Sequence, residues 1–228
     1  MIITLASSKG GVGKSTLTGC LAGIWASDGS TVQVVDLDSN RTVSRWFGDA
    51  SVRPKTIGIS TPDPSQLTEH LAELARTTAP DVILIDVAGT YERALTVAVA
   101  RAHLTLIPAS LTEADIFEAS RVAAHITSVF QAFSREPLYR LVLNRVQSLS
   151  SSAALYATLE IARLGLPRLK TRIMQRAAYE EVGLSGLPPH FADRKRPTVA
   201  KAVEELDLLR ADIEALFSAE HIAQGAAA

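Results

Sequence analysis

The sequence predicts an α/β fold with a single doubly wound, mainly parallel sheet and helices on both of its faces. Short apolar runs that are typical of buried strands alternate along the chain with amphipathic stretches of helical period. Hydrophobic residues make up 47% of the 228 positions and aromatic residues only 5%, a composition that suits helices packed on a parallel sheet. We see no internal repeat and no long linker, so we expect one domain.

Six apolar runs have the length of buried strands, and they cover residues 2–6, 32–36, 82–86, 104–108, 138–143 and 169–174. Helical patterns occupy most of the sequence between and after these runs, at residues 14–27, 64–78, 92–101, 113–132, 152–164 and 198–217. The segment 183–197 contains prolines, glycines and a basic triplet, and we expect it to be irregular. Strands that alternate with helices in this way favour a parallel sheet.

Several residues mark the ends of the predicted helices. Gly29 follows the first helix and can adopt the left-handed conformation that ends it. Thr112 and Ser151 are suited to begin helices as N-caps. Four residues give the last helix a buried apolar stripe: Leu206, Leu209, Ile213 and Leu216. We expect the domain to cover residues 1–218 and residues 219–228 to form a frayed tail.

The composition argues against several classes of protein. A formal net charge of -1 does not indicate a nucleic-acid binder, so any DNA contact would need a local basic patch. The single cysteine, Cys20, excludes a disulfide framework within the chain and fits a reducing cytoplasm. The five histidines are scattered without metal-ligand spacing. No signal peptide is recognisable, and no apolar run is long enough to span a membrane.

A phosphate-binding loop follows the first predicted strand and opens the first predicted helix. It consists of Lys9, Gly10, Gly11, Val12, Gly13, Lys14, Ser15 and Thr16. The glycines let backbone N–H groups curl around a phosphate, and the start of the helix adds its positive end. Lys14 can neutralise the β- and γ-phosphates, and Ser15 offers a hydroxyl to Mg²⁺. The sequence therefore predicts a site for ATP and Mg²⁺.

Aspartates end two of the predicted strands near this loop. Asp86 follows four apolar residues, the pattern of a carboxylate that orients Mg²⁺, and Gly89 allows close approach to the γ-phosphate. Asp36 and Asp38 end the second strand, where ligands bind in parallel sheets. Asp38 can hold water near Mg²⁺ or position the attacking water, and helix capping is the alternative role of both aspartates.

The loop departs from the ordinary phosphate loop in a way that points to one family. Ser8 stands where the first glycine is usual, and Lys9 precedes the double glycine. This pattern resembles the deviant Walker A signature of the ParA/MinD superfamily, which has a P-loop NTPase fold. The resemblance covers residues 1–217 and implies an ATP-sandwich homodimer in which Lys9 reaches the nucleotide of the other subunit.

The resemblance also implies roles for residues outside the loop. Asp38 corresponds to the family aspartate linked to hydrolysis, although Ser39 and Asn40 stand where proline and glutamine are usual. Asn144, after the fifth strand, corresponds to an asparagine that hydrogen-bonds the adenine, and the neighbouring Arg145 is interpreted as a surface charge. The catalytic set implied in this way is Lys9, Lys14 and Asp38.

The function implied by the resemblance is plasmid or chromosome partition. Members of the family hydrolyse ATP slowly, bind double-stranded DNA non-specifically and are stimulated by a ParB-type DNA-binding partner. The first predicted strand begins at residue 2, as in the short plasmid-type ParA proteins that this chain resembles. We expect a cytoplasmic, nucleoid-associated protein. Residues 38–46 also resemble the VirC-type branch, which helps to transfer plasmid DNA in conjugation.

Two groups of basic residues near the C-terminal end are candidates for non-specific DNA contacts, and solvated surface charge is their alternative interpretation. The first group contains Arg163, Arg168, Lys170 and Arg172, with Arg176 close by. The second group contains Arg194, Lys195, Arg196 and Lys201. Neither group is interleaved with aromatic residues, which argues against stacking on single strands.

Three alternative functions are weighed against the pattern of motifs. A nucleotide-gated recruiter of a conjugative DNA-transfer or cell-pole complex would keep every motif without needing turnover. A membrane-cycling ATPase of the MinD kind is disfavoured because residues 219–228 contain no lysine or arginine, so we expect no membrane contact. An iron–sulfur reductase on the same fold shares the nucleotide motifs but fails as an interpretation, because it needs cysteines between Asp86 and Asn144 and the one cysteine, Cys20, lies in the first predicted helix.

Overall fold

The computed structural model of the chain describes residues 1–49, 51–87, 92–147 and 152–225. Its strands are β1 (Ile2–Ala6), β2 (Val32–Asp36), β3 (Ile57–Ser60), β4 (Val82–Val87), β5 (Leu104–Ala109), β6 (Tyr139–Val146) and β7 (Arg168–Met174). They form one sheet in the order β3-β2-β4-β1-β5-β6-β7, and every neighbouring pair is parallel. The predicted single, doubly wound parallel sheet is therefore confirmed.

Helices cover both faces of this sheet. They are α1 (Lys14–Ser27), α2 (Thr42–Trp46), α3 (Leu67–Thr77), α4 (Glu92–Arg101), α5 (Glu113–Gln131), α6 (Ser152–Arg163), α7 (Ala177–Glu180), α8 (Val182–Ser185) and α9 (Pro197–Gly225). Short 3-10 helices lie at Pro64–Gln66 and Pro189–Phe191. Within the described residues, no helix combines the length and the apolar character that a membrane crossing requires.

Two hydrophobic cores lie on opposite sides of the sheet. One core joins the sheet to α1, α2 and α7–α9, and the other joins it to α3–α6. Successive strand residues enter different cores, as Leu84 and Ile85 of β4 do, because side chains alternate across a strand. Both residues are fully buried, which explains why the strands read as continuous apolar runs.

Strand β1 occupies the middle of the sheet and leads directly to the glycine loop. It pairs with β4 on one side and β5 on the other, so the chain crosses from one half of the sheet to the other around it. In the sheet register Leu5 lies opposite Asp86, and Asp86 lies opposite Asp36. The carboxylates of β2 and β4 are thus brought to the carboxyl end of β1, where such sheets bind ligands.

Strand β7 forms one edge of the sheet and packs under α9. The Thr171 N–H donates to Asp212 Oδ2 at 2.7 Å, and the Met174 N–H donates to Glu205 Oε2 at 3.3 Å. Both carboxylates belong to α9. Of the four residues predicted to form its buried stripe, Leu206, Leu209 and Ile213 are fully buried, and Leu216 is only partly buried against the same core.

Most predicted elements are present, with differences at their ends. Strand β3 is not predicted by the sequence, and β4, β5 and β6 end later than their apolar runs predict. The segment predicted to be irregular contains α8 in part and a 3-10 helix. Helix α9 continues to Gly225, past the boundary predicted at residue 218, and residues 226–228 lie outside the described residues.

Two predicted helix ends are confirmed. Thr112 accepts a hydrogen bond from the Asp115 N–H at the start of α5, so it is an N-cap. Gly29 has a φ of 86° just beyond α1, as a left-handed helix terminator requires. Ser151 and Gly89, which the sequence assigns to capping and to phosphate approach, lie outside the described residues.

Candidate nucleotide-binding site

The glycine loop between β1 and α1 has the backbone shape that its sequence predicts. Gly11 and Gly13 have φ values of 86° and 82°, in the left-handed region that favours glycine. Gly13 is also the N-cap residue of α1, and a Cβ atom there would overlap Asn144 Nδ2. The loop therefore needs glycine at this position both for its backbone angle and for the approach of Asn144.

Lys14 lies at the centre of the site. Its side chain is only 9% exposed, and its Nζ atom forms an ion pair with Asp86 Oδ1. Asp38 Oδ2 lies 3.6 Å from the same nitrogen. Three residues that the sequence assigns to phosphate binding, hydrolysis and Mg²⁺ are therefore in contact, although they come from α1, the loop after β2 and β4.

Asp86 has an oxygen that fits a metal ion or its water shell. The side chain is fully buried, and burial raises the pKa of the carboxyl above its ordinary value although the Lys14 charge acts against this. Its Oδ2 atom has no hydrogen-bond partner among the described residues. Burying a carboxylate oxygen costs free energy unless a cation or a hydrogen-bond donor interacts with it. Asp86 therefore fits the predicted Mg²⁺ role.

Ser15 is the other predicted Mg²⁺ ligand from the glycine loop. Its hydroxyl is close enough to Asp86 to lower the pKa of that carboxyl. Among the described residues, no group of three or more His, Cys, Asp or Glu side chains is arranged to hold a metal ion. An ion at Ser15 and Asp86 would therefore need further ligands from water or from a bound phosphate.

The two aspartates after β2 have different surroundings. Asp36 Oδ2 accepts hydrogen bonds from the Ser44 N–H and hydroxyl, at 2.9 and 2.8 Å, so Asp36 fixes the start of α2. Asp38 accepts from the Asn40 N–H at 2.9 Å, and its other oxygen faces Lys14. Asp36 is thus tied to α2, and its charge helps to raise the pKa of Asp86, whereas Asp38 bonds its own loop and faces Lys14.

A cleft of about 370 Å³ runs from the glycine loop toward β7. Its phosphate end contains residues 9–16 and Asp38, and its far end is lined by Asn144, Arg145, Met174, Gln175, Arg176, Tyr179 and Glu180. The cleft thus joins the predicted phosphate-binding residues to the asparagine that the resemblance assigns to the base. Its size is within the range of ordinary small-molecule sites.

The position of Asn144 differs from the sequence prediction. Strand β6 continues to Val146, so Asn144 and Arg145 lie within the strand and not after it. Asn144 is buried, and its Nδ2 donates to the Val12 carbonyl oxygen at 2.9 Å. Arg145 is more than a surface charge, because its Nη1 donates to the Gly11 carbonyl oxygen at 2.5 Å. The adenine contact of Asn144 stays a prediction.

Lys9 is held by its own chain. Its Nζ atom lies 2.8 Å from Asp115 Oδ1, and Ser110 Oγ donates to the other carboxylate oxygen. Partial burial raises the pKa of Asp115, but the hydrogen bonds from Lys9 and Ser110 and the Lys9 charge outweigh it, so the pKa lies below its ordinary value. The Lys9 side chain is still 48% exposed.

Sequence reasoning missed Asp115 and Arg145. Asp115 carries a weak signal, since it stands three residues after the N-cap Thr112, where acidic side chains are common for purely local reasons. Arg145 carries none, because its role depends on where β6 ends.

Residues 1–207 match the family model described as VirC1 protein. The chain belongs to the VirC1 family. ParA of Rhizobium radiobacter is 24% identical to this VirC1-family chain over 207 residues, which cover 90% of the chain and 92% of that protein. The virC1 protein of Rhizobium radiobacter is 34% identical over 121 residues, which cover 52% of each chain.

Solved structures share the fold of the VirC1-family chain. The MinC:MinD cell division protein complex of Aquifex aeolicus superposes with a TM-score of 0.72 at 20% identity, covering 92% of this chain and 96% of that chain. A putative plasmid partition protein of Borrelia burgdorferi bound to AMPPNP gives 0.68 at 16% identity, covering 91% and 97%. The predicted membership of the ParA/MinD superfamily, close to plasmid-type ParA, is confirmed.

Three basic residues near the C-terminal end of this VirC1-family chain are paired with carboxylates among the described residues. Arg163 is paired with Glu160 at 2.8 Å, and Arg196 with Glu181 at 2.7 Å. Arg176 forms an ion pair with Glu205. Each of these carboxylates partly neutralises its arginine, so the arginine attracts an anionic ligand less strongly. The sequence alone does not reveal these pairs.

Strand β7 places three of the predicted DNA-binding residues on one face. Arg168, Lys170 and Arg172 alternate with Leu169 and Ile173, which are buried in the core under α9. Alternate residues of a strand are about 7 Å apart, so the three cations form a stripe. Arg194, Lys195 and Lys201 are exposed at and before the start of α9.

Proposed function

We propose that this chain is a partition-type ATPase that binds ATP with Mg²⁺ in the cleft around Lys14, closes into an ATP-sandwich homodimer and then holds double-stranded DNA. The observation that carries the proposal is the position of the Lys14 ammonium between the carboxylates of Asp38 and Asp86. Lys14 follows a glycine loop whose backbone conformation suits phosphate binding. This arrangement holds the charges needed for phosphoryl transfer close together.

The residues of the cleft have separable roles in this proposal. With nucleotide bound, Lys14 would exchange its carboxylate partners for phosphate oxygens, and Asp86 and Ser15 are the residues that would hold Mg²⁺. When bound, Mg²⁺ neutralises charge on the phosphate oxygens. Asp38 lies at the rim beside Lys14, where a carboxylate can accept a hydrogen bond from a water molecule and orient it.

Dimer formation is assigned to Lys9. Its ammonium is half exposed and is tied to Asp115 by a partly exposed ion pair, which is a weak restraint. An amino group in this position can leave Asp115 for the more highly charged phosphates of a second subunit. The similarity to ParA supports this assignment, since the family resemblance gives the lysine the same role.

DNA binding is assigned to the stripe on β7 together with the exposed residues near the start of α9. These are Arg168, Lys170, Arg172, Arg194, Lys195 and Lys201. Arg163 and Arg196 leave the predicted set of main contacts, because each is already paired with a glutamate. Two subunits would double the number of phosphates that are neutralised and make binding sensitive to salt.

The biological role that we propose is partition of a plasmid or chromosome, with a ParB-type DNA-binding protein that stimulates slow hydrolysis. ParA of Rhizobium radiobacter, which matches over nearly the whole chain, supports this role. The proposed location is the cytoplasm, on the nucleoid.

The experiment that tests the proposal compares the mass in solution of the wild-type protein and of Asp38→Ala, each with and without ATP and Mg²⁺. We expect Asp38→Ala to stay dimeric with ATP and to be retained on any duplex at low salt, because it binds ATP without hydrolysing it. Lys14→Ala is the matched variant that should stay monomeric. Equal DNA retention with and without ATP would contradict the proposal.

A nucleotide-gated recruiter of a conjugative DNA-transfer complex is the second candidate function. The match of residues 1–207 to the VirC1 family favours it. Turnover separates the two candidates, since a recruiter needs ATP binding only. ATP binding without measurable hydrolysis in the wild-type protein would favour the recruiter, whereas hydrolysis that is largely lost in Asp38→Ala would favour partition. Equal hydrolysis in the two proteins would instead count against a catalytic role of Asp38.

A further inference from the structure

Two consecutive residues of β6 contact the glycine loop. Asn144 Nδ2 donates to the Val12 carbonyl oxygen at 2.9 Å, and Arg145 Nη1 donates to the Gly11 carbonyl oxygen at 2.5 Å. Neighbouring side chains of a regular strand point to opposite faces of the sheet, so they cannot normally reach the same loop. A departure from regular strand geometry must bring them together.

That departure is the backbone of Arg145. Its φ is 56°, in the left-handed region, although it is not glycine. Such a residue is disfavoured by roughly 1–2 kcal/mol relative to ordinary backbone, and the surrounding structure has to hold it in place. Unusual backbone of this kind is concentrated at functional sites. The left-handed turn in the strand allows both side chains to reach the same loop.

The two hydrogen bonds fix the direction of two peptide groups. In a planar trans peptide the C=O and the following N–H point in opposite directions. Holding the Gly11 carbonyl toward Arg145 therefore turns the Val12 N–H away from β6. Holding the Val12 carbonyl toward Asn144 does the same for the Gly13 N–H. Glycine residues on either side of Val12 would otherwise let these peptides rotate easily.

We propose that Arg145 is a positioning residue that presets the glycine loop for a polyphosphate, with Asn144 as its partner. Arg145 fixes the Gly11–Val12 peptide so that its N–H is available to the anion before the ligand arrives. The inference rests on the proposed nucleotide site, and it goes further by assigning part of the phosphate affinity to a residue that need not touch phosphate. Loop ordering is then complete before binding, which raises affinity.

Arginine suits this position better than lysine. A guanidinium has five N–H donors in a rigid plane, so one can bond the Gly11 carbonyl while the side chain stays fixed. Arg145 lines the nucleotide cleft and also a second cleft of about 440 Å³ next to it, which Gly11 and Asp115 also line. A lysine would carry the same charge on a flexible stem, with no fixed direction for its hydrogen bond.

The test measures the affinity of the full chain for MgADP and MgATP by calorimetry, together with thermal unfolding without nucleotide. Arg145→Gly removes the guanidinium and also the backbone strain, so it should unfold within about 4 °C of the wild-type protein. We expect it to bind both nucleotides about tenfold more weakly, which corresponds to about 1.4 kcal/mol. Arg145→Lys should show most of the same decrease in affinity, because it retains charge without the fixed hydrogen bond.

Arg140→Ala is the matched charge variant on the same strand. Arg140 donates to the Tyr139 carbonyl oxygen and lies at the other end of β6, so its removal should leave nucleotide affinity unchanged. If Arg145→Gly does not fold, Arg145→Asn replaces it, since asparagine tolerates left-handed backbone.

Two results would overturn the positioning role. One is a wild-type nucleotide affinity in Arg145→Gly. The other is a wild-type nucleotide affinity in Arg145→Lys, which would mean that the charge alone matters. A wild-type protein that binds neither nucleotide would instead overturn the proposed function itself.

Discussion

The Nζ atom of Lys9 lies 2.8 Å from Oδ1 of Asp115, which belongs to the first turn of α5 in the same chain. The family resemblance assigns Lys9 to the nucleotide of a second subunit. In the single chain, however, Lys9 is bound to a carboxylate of its own subunit. In the proposed cycle, dimer formation has to break this ion pair. Because breaking the ion pair costs free energy, a stronger pair raises the ATP concentration at which dimers form.

Asp115→Asn should lower the ATP concentration needed for dimer formation. The variant keeps the shape of the side chain and removes its charge, so Lys9 is released more easily. A partly exposed ion pair contributes roughly 0.5–1 kcal/mol, which predicts a decrease of about two- to fivefold, measured by light scattering. Glu118→Gln removes a nearby carboxylate that bonds Ser8 and not Lys9, and it should have no such effect.

The same pair predicts how stability depends on pH. The pKa of Asp115 in the folded chain lies below its ordinary value, so its contribution is present at pH values above about 4 and is lost as the pH falls through the lowered pKa. The free energy of unfolding, measured in urea between pH 3 and 7, should therefore fall less steeply with acid in Asp115→Asn. Identical acid limbs in the two proteins would contradict this prediction.

Removal of Mg²⁺ should weaken nucleotide binding through Asp86. Chelation by EDTA is expected to lower the affinity of the wild-type protein for ADP, whereas Asp86→Asn should bind ADP with about the same affinity in both conditions. Asp36 lies opposite Asp86 in the sheet register but bonds Ser44, so Asp36→Asn should keep the response to EDTA and lose stability instead. A full response to EDTA in Asp86→Asn would show that this carboxylate does not serve the ion.

Substitutions in the two kinds of basic residue should affect DNA binding differently. In the presence of ATP, Lys170→Ala should reduce the slope of log affinity against log salt concentration by about 1 for each phosphate that is no longer neutralised. Arg163→Ala should change the slope little, because Arg163 is paired with Glu160. Filter binding over a range of salt concentrations measures both. Equal changes in the two variants would place the DNA elsewhere.

The predicted site residues that the structure brings together are those with local sequence signals. The glycine loop needs particular residues at fixed spacing, and Asp86 ends an apolar run, so chain order alone brings them to one edge of a parallel sheet. The prediction that Asn144 follows its strand is wrong. The apolar run that identifies the strand ends at Leu143, whereas the strand itself continues to Val146. Pairing between Val146 and Met174 extends the strand instead, and this pairing is not visible in either segment alone.

The remaining misses have the same physical origin. Strand β3 has four residues, two of them Gly58 and Ser60, so its sequence lacks the apolar run that identifies the other strands. Its pairing with β2 is a tertiary effect. The contacts of Asp115 and Arg145 likewise join segments more than 100 residues apart, and only the assembled sheet brings these segments together.

The hydrogen bonds from α9 to β7 have a consequence for self-association. An edge strand with free N–H groups can recruit a strand from another molecule and begin uncontrolled polymerisation. Asp212 and Glu205 already accept the Thr171 and Met174 N–H groups, so an added strand would have to displace α9 and its buried leucines. The β7 edge is therefore closed to strand addition as long as α9 stays in place.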